Sequence, residues 1–223
     1  MSHHDSKKYS FTGVLLLLAL SFAWMVHAEN HHTDQVKRTN RIAVVSFQSL
    51  TSGEGNSVFC PICGRGSSSG NVLEGAERVV EEIFINQLSK REKIELIPSE
   101  QVQSVYQRIS AGELKGTVTE NLAKAGNMLG SDFIAVGYVY RYIERVGSKY
   151  SSEHPASVIF EIHLIKTDDG SIIWRGHFDK TQKSLMENIF DIASFFKSGA
   201  KWVTARQLTE QGMEQVLKTF PDF

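Results

Sequence analysis

Proline and cysteine are both scarce in this chain, with four prolines and two cysteines among 223 residues. So few prolines exclude long Pro-rich linkers. Two cysteines leave no second C-x-x-C, so a self-contained four-thiolate zinc module is excluded. Excess charge of either sign is also missing, with 24 basic and 25 acidic residues and a net charge of −1. A nucleic-acid-binding protein needs a concentrated basic surface, and nothing here supplies one. Beyond the N-terminal region no apolar run is long enough for a membrane span. The nucleophile elbow G-x-S-x-G is absent, as is a glycine loop followed by Lys-Ser/Thr. What remains is an ordinary globular balance, 41% hydrophobic and 22% charged, of a size for one domain behind a leader.

Residues 1–28 read as a signal peptide. Lys7 and Lys8 give a positive start, Val14 to Leu20 begins an apolar core, and Val26-His27-Ala28 fits cleavage after Ala28. No cysteine lies near the cleavage point, so the leader shows no lipid-attachment signal. Residues 29–40 form a polar N-terminus expected to be disordered. The span 41–223 then reads as a single α/β domain. Arg41 to Phe47 opens it as a strand buried on both faces. Residues 48–70, rich in Gly and Ser, read as a long surface loop, and a loop of that length is functional or mobile. Val72 to Arg91 has helical spacing, with Asn71 placed to cap it. Ile94 to Ile97 is a short strand stopped by Pro98, and Ser99 opens a second helix. Thr117 and Glu120 have capping-box spacing for a third helix, closed by Gly130. Residues 185–220 read as C-terminal helices, broken at Lys197 to Ala200, the last one capped by Thr204.

The most regular part lies between Ser131 and Asp179, three strands in succession. In the first, Tyr138, Tyr140 and Tyr142 alternate on one face. In the second, Val158, Phe160, Ile162 and Leu164 oppose Ile159, Glu161, His163 and Ile165. In the third, Ile172, Trp174 and Phe178 oppose Ile173, Arg175 and His177. A two-residue turn at Asp169-Gly170 would set Leu164 against Arg175 and mix the faces. A three-residue turn, Asp168 to Gly170, sets Leu164 against Trp174 and His163 against Arg175. One residue of slip reverses every side chain, so the second register is predicted, with Gly170 in a left-handed conformation.

Two constellations could carry chemistry. Cys60-Pro-Ile-Cys63-Gly64 is the sharper. A thiol–disulfide oxidoreductase places such a motif at a helix N-terminus, but here a Gly/Ser loop follows it. A zinc site would need histidines from elsewhere or a second subunit. A local disulfide between Cys60 and Cys63, stiffening the loop in an oxidising compartment, is the favoured reading. The second constellation is Glu161, His163, Arg175 and His177 on one face of the hairpin. It reads as a cross-strand polar cluster on a partly exposed surface rather than as a metal site, because Arg175 opposes a cation there. No catalytic residues and no cofactor are expected, zinc at Cys60 and Cys63 being the one alternative.

Four segments resemble the CsgG/LpoB-like envelope proteins. They are Ile42-Ala-Val-Val-Ser-Phe47, Ile94-Glu-Leu-Ile-Pro-Ser-Glu-Gln-Val102, Leu129-Gly-Ser-Asp-Phe-Ile-Ala-Val-Gly137 and Leu164-Ile-Lys-Thr-Asp-Asp-Gly-Ser-Ile-Ile-Trp-Arg-Gly176. The resemblance covers about 41–179. It implies a TolB N-terminal-like α/β domain, a mixed sheet of about five strands packed by helices. It also implies no enzyme, and a periplasmic or secreted role, open to outer-membrane association, in envelope assembly, secretion or transport. The partner would be another envelope protein, with no nucleic acid and no integral span after cleavage, and with homo-oligomer formation left open. A periplasmic thiol-redox or zinc-binding protein using Cys60 and Cys63 is the alternative. Two features depart from the family: the lipid-attachment cysteine is missing, and no pair of amphipathic barrel hairpins like those of a channel subunit is seen; the Cys60–Cys63 loop also belongs to neither relative's pattern.

Overall fold

The computed structural model describes residues 39–52, 57–111, 116–147, 152–182 and 202–223. The leader, nearly all of the polar N-terminus and the helix expected from 185 lie outside these residues. Residues Thr39–Phe223 form one compact unit. The strands are β1 (Asn40–Val44), β2 (Gln48–Ser49), β3 (Ser57–Phe59), β4 (Gly66–Ser68), β5 (Ile94–Leu96), β6 (Phe133–Ile143), β7 (Val146–Gly147), β8 (Ser152–His154), β9 (Ser157–Lys166) and β10 (Ile172–Thr181). The helices are α1 (Ala76–Leu88), α2 (Ser99–Ala111), α3 (Val118–Leu129) and α4 (Ala205–Val216), the last followed by a 3-10 turn at Leu217–Thr219.

One mixed sheet organises the fold, in the order β10-β9-β6-β1-β5. β1 is parallel to β5 and β6, while β9 runs antiparallel to both β6 and β10. This is the α/β architecture expected, with β2 added beside β6. β6 is the longest strand because its free edge is used three times. Its start pairs with β1, its middle with β2, and Tyr142 near its end with Asn71, Val72 and Leu73. That last pairing corrects the first helix. Tyr142 donates its N–H to Asn71 O, and Leu73 donates to Tyr142 O. Residues 71–73 are therefore held extended, Asn71 caps nothing, and α1 starts only after Gly75, whose φ is 79°.

Two apolar layers sandwich the sheet. The first face packs Val158, Phe160, Ile162, Leu164, Trp174 and Phe178 under α1 and α4. Val80, Ile83, Phe84 and Leu88 form the buried stripe of α1. Both capping boxes are present, Thr117 with Glu120 and Thr204 with Gln207. Gly130 ends α3 at φ 63°. After α4 the chain end returns to the sheet, where Phe220 meets Trp174 edge-on at 4.9 Å. The second face packs Ile134, Val136, Tyr138, Tyr140, Ile159 and Ile165. Val102 and Val105 of α2 and Leu122 and Ala125 of α3 cover part of it. The rest is covered by Val58, Cys60, Ile62 and Cys63. Within 48–70 the structure thus has β2 and a β3–β4 hairpin, where the sequence suggested only a surface loop.

The register of β9 with β10 agrees with the facing argument, Leu164 opposite Trp174 and His163 opposite Arg175. The turn itself differs. Lys166 N–H bonds to Ser171 O, which leaves four residues, Thr167 to Gly170, in the loop. A bulge between Ile172 and Trp174 absorbs the extra position. Gly170 has φ 70°, the left-handed conformation predicted. A second bulge lies in β6 between Val139 and Arg141. It breaks the tyrosine row: Tyr138 and Tyr140 lie in the second layer, Tyr142 in the first.

Gly137, in the middle of β6, lies directly beneath the Phe47 ring, which a Cβ would strike. Overpacking of this kind costs about 1–3 kcal/mol. Gly137→Ala should lower the unfolding free energy by that amount in urea titrations, and a change below about 0.5 kcal/mol would contradict this packing.

Candidate functional site

The hairpin β9–β10 carries four polar side chains on the second face of the sheet. Strand alternation puts Glu161 and His163 on the same side as Ile159 and Ile165. Cross-strand pairing sets His177 opposite Glu161 and Arg175 opposite His163. The four do come together, but not on a surface. Glu161 is 1% exposed and His163 fully buried, whereas Arg175 and His177 stand at the margin. The sequence placed this cluster on a partly exposed face. The correction follows from the Cys60–Cys63 segment, which folds down over it.

That segment is a tight turn between β3 and β4. Cys60 N–H bonds to Arg65 O and Gly64 N–H bonds to Cys60 O, both at 2.9 Å. Gly64, with φ 68°, takes the left-handed step that brings the chain back. The turn points both sulfurs at the sheet. Cys60 Sγ lies 3.2 Å from His163 Nε2, and Cys63 Sγ lies 3.3 Å from Glu161 Oε1. His163 Nε2 is also 2.6 Å from Glu161 Oε1. The donor atoms of Cys60, Cys63, Glu161 and His163 all lie within 4.8 Å of one another. Both cysteines are free thiols, so the disulfide favoured from the sequence is not formed here.

The two carboxylate oxygens of Glu161 do different things. Oε2 accepts a hydrogen bond from Arg175, and His177 Nδ1 lies 3.3 Å from it. Oε1 faces the thiol and the imidazole. Burial by itself would raise the Glu161 pKa. Hydrogen bonds from His163, His177 and Arg175 outweigh burial and hold this carboxyl far below the usual range. Glu161 is therefore ionised although buried. The same ion pair raises the Arg175 pKa.

Cys60 behaves in the opposite way. Burial pushes its thiol up to about 11, although the backbone N–H groups of Cys63 and Ile62 point at its sulfur. Tyr140 stands beside it, also raised by burial. The Tyr140 hydroxyl and His163 Nδ1 are buried with no hydrogen-bond partner of ordinary geometry. Sequence reasoning missed Tyr140 as part of this site. Its signal was the alternation of β6 up to the bulge, which puts Tyr140 on the face of Ile134 and Val136.

Neither the family models nor the curated proteins give a match to the chain. Among solved structures, a PelC dodecamer from Paraburkholderia phytofirmans is 12% identical, with a TM-score of 0.45, over 81% of this chain and 86% of that one. The LpoB C-terminal domain from Escherichia coli is 14% identical over 70% and 92%, with a TM-score of 0.38. Lipoprotein GNA1162 from Neisseria meningitidis is 12% identical over 72% and 99%, with a TM-score of 0.40. The site described above rests on its own geometry.

The depressed Glu161 pKa has a definite sign in stability. The folded value lies below the unfolded one of about 4.3, so the stabilisation is complete above that pH and falls away as pH drops. Thermal melts between pH 7 and pH 3 should show the wild type losing more stability on acidification than Glu161→Gln does. Parallel losses in the two proteins would contradict the ion pairs assigned to Glu161.

Proposed function

We propose that this protein is a non-enzymatic accessory of the cell envelope that works through protein contacts. The observation that carries this reading is the burial of the only cluster of catalytic-type residues found among the described residues. Cys60, Glu161 and His163 lie under the β3–β4 turn, at most 2% exposed. A general acid, base or nucleophile must come within hydrogen-bond reach of a substrate atom. Residues walled off in this way are suited to holding parts of the chain together. The signal-peptide reading of residues 1–28 and the CsgG/LpoB-like segments are what support an envelope compartment. Among the described residues no helix is long and apolar enough to cross a membrane.

The alternative assigns activity to Cys60 and Cys63. Its thiol-redox form needs an accessible thiolate of low pKa. Cys60 is buried, and burial pushes its pKa up to about 11, so that form is disfavoured. What survives of the alternative is metal binding, which is compatible with an accessory role.

The test is retrieval of a partner from envelope extracts by the tagged full chain, paired with deletion of its gene. The expected outcome is one envelope protein recovered reproducibly, and envelope sensitivity to detergent in the deletion strain. Failure of both, or turnover of any small-molecule substrate by the purified protein, would overturn the proposal.

A further inference from the structure

We infer that Cys60, Cys63, His163 and Glu161 form a binding site for one divalent transition-metal ion, of which zinc is the best fit. Four donor atoms, two sulfurs, one imidazole nitrogen and one carboxylate oxygen, lie within 4.8 Å of one another in a largely buried space, with the Arg175 guanidinium at its edge against Glu161 and Cys63. Softness of the donors favours zinc over calcium or magnesium, which prefer oxygen. A tetrahedral zinc site with bonds of about 2.3 Å to sulfur and 2.0–2.2 Å to nitrogen and oxygen sets neighbouring S···N and S···O pairs about 3.5 Å apart. The Cys60–His163 and Cys63–Glu161 pairs stand at 3.2 and 3.3 Å, close to that spacing. The His163–Glu161 pair, at 2.6 Å, is the edge that must open on binding.

The surroundings also suit an ion. The backbone N–H groups of Ile62 and Cys63 point at the Cys60 sulfur, and the buried Tyr140 hydroxyl lies beside it and interacts with it. A neutral thiol is a weak acceptor, so it makes little use of several donors. A metal-bound thiolate uses them all, and such outer donors fix the ligands in place. The charge count agrees. Two thiolates and a carboxylate against a divalent ion leave one negative charge. Arg175, hydrogen-bonded to the outer oxygen of Glu161, neutralises it. From the sequence, Arg175 stood as a repulsive neighbour to a cation. With both sulfurs included in the ligand set, it becomes the counter-charge.

Binding is coordination without electron transfer. Two thiol protons leave to solvent, the Nε2 proton that His163 shares with Glu161 moves to the unpartnered Nδ1 so that Nε2 can offer its lone pair, and the Glu161 carboxylate supplies the fourth donor. The ion would tie the β3–β4 turn to β9 across about a hundred positions of sequence. A disulfide between the same sulfurs would preclude it. The role is structural, because all four positions of the tetrahedron come from the protein.

The full chain, reduced and metal-free, should be titrated with zinc and separately with cobalt(II). About one ion per chain is expected, and the cobalt form should show thiolate charge-transfer absorption with tetrahedral visible bands. Two protons should be released per ion. Cys63→Ser and His163→Ala should each weaken binding by more than about 100-fold, and Tyr140→Phe, which keeps every ligand, by about tenfold. Because the ligand variants could fail to fold, the wild-type titration decides. Folded, reduced wild type that takes up less than about a tenth of an equivalent, or a weak octahedral cobalt spectrum, overturns the site. So does protein drawn from its own compartment that carries a Cys60–Cys63 disulfide and no metal. None of these outcomes bears on whether an envelope partner exists.

Discussion

The ionised carboxylate of Glu161, placed in the middle of a sheet face, is the constraint to which this side of the molecule answers. An unpaired buried charge costs many kcal/mol, so the fold must either neutralise it or surround it with donors. β10 meets that need from one side with Arg175 and His177. β9 meets it from the same strand with His163, two residues on. Arg175 and His177 thus take Oε2, while Oε1 is shared by His163 and the Cys63 sulfur. The first face of the sheet has no such complication. It is filled by aliphatic and aromatic side chains under two helices, and that packing carries the stability that lets the second face hold polar groups.

Cover on that second face is divided between unlike elements. α2 and α3 close one part with Val102, Val105, Leu122 and Ala125. Among the described residues, the part over Tyr140, Ile159 and His163 is covered by a short hairpin rather than by a helix. A helix would bring a regular stripe of apolar side chains. The hairpin brings two thiols, a tight turn and backbone N–H groups, which suit a polar floor.

The sequence made much of the sheet readable. Alternation in 157–166 and 172–181 was enough to select the pairing of Leu164 with Trp174, because only one register keeps apolar beside apolar. Capping residues marked the starts of α3 and α4 and the end of α3. The bulges were not readable. Insertion of one residue at Tyr140 depends on what β9 and segment 70–73 offer opposite it, and neither is local. The start of α1 was misplaced for the same reason. Asn71 is a good cap by chemistry, but its backbone is engaged by Tyr142. The site was half legible: the hairpin cluster and the Cys60–Cys63 motif were each visible. That they are one site depends on contacts 98 and 103 positions apart, for which no periodicity exists.

Those separations have a bearing on how the chain reaches this state. Cys60 and Cys63 are synthesised long before Glu161 and His163, and β1, α1 and β5 can all be made while the floor of the site does not yet exist. Contacts so distant in sequence form late, after local helices and the β9–β10 hairpin, because loop closure must be met before they give anything back. Through that interval both thiols are open to oxidants and to each other. The final state of the turn is thus a matter of timing as well as energy: whichever partner arrives first, a neighbouring sulfur or the finished hairpin, decides which molecule results.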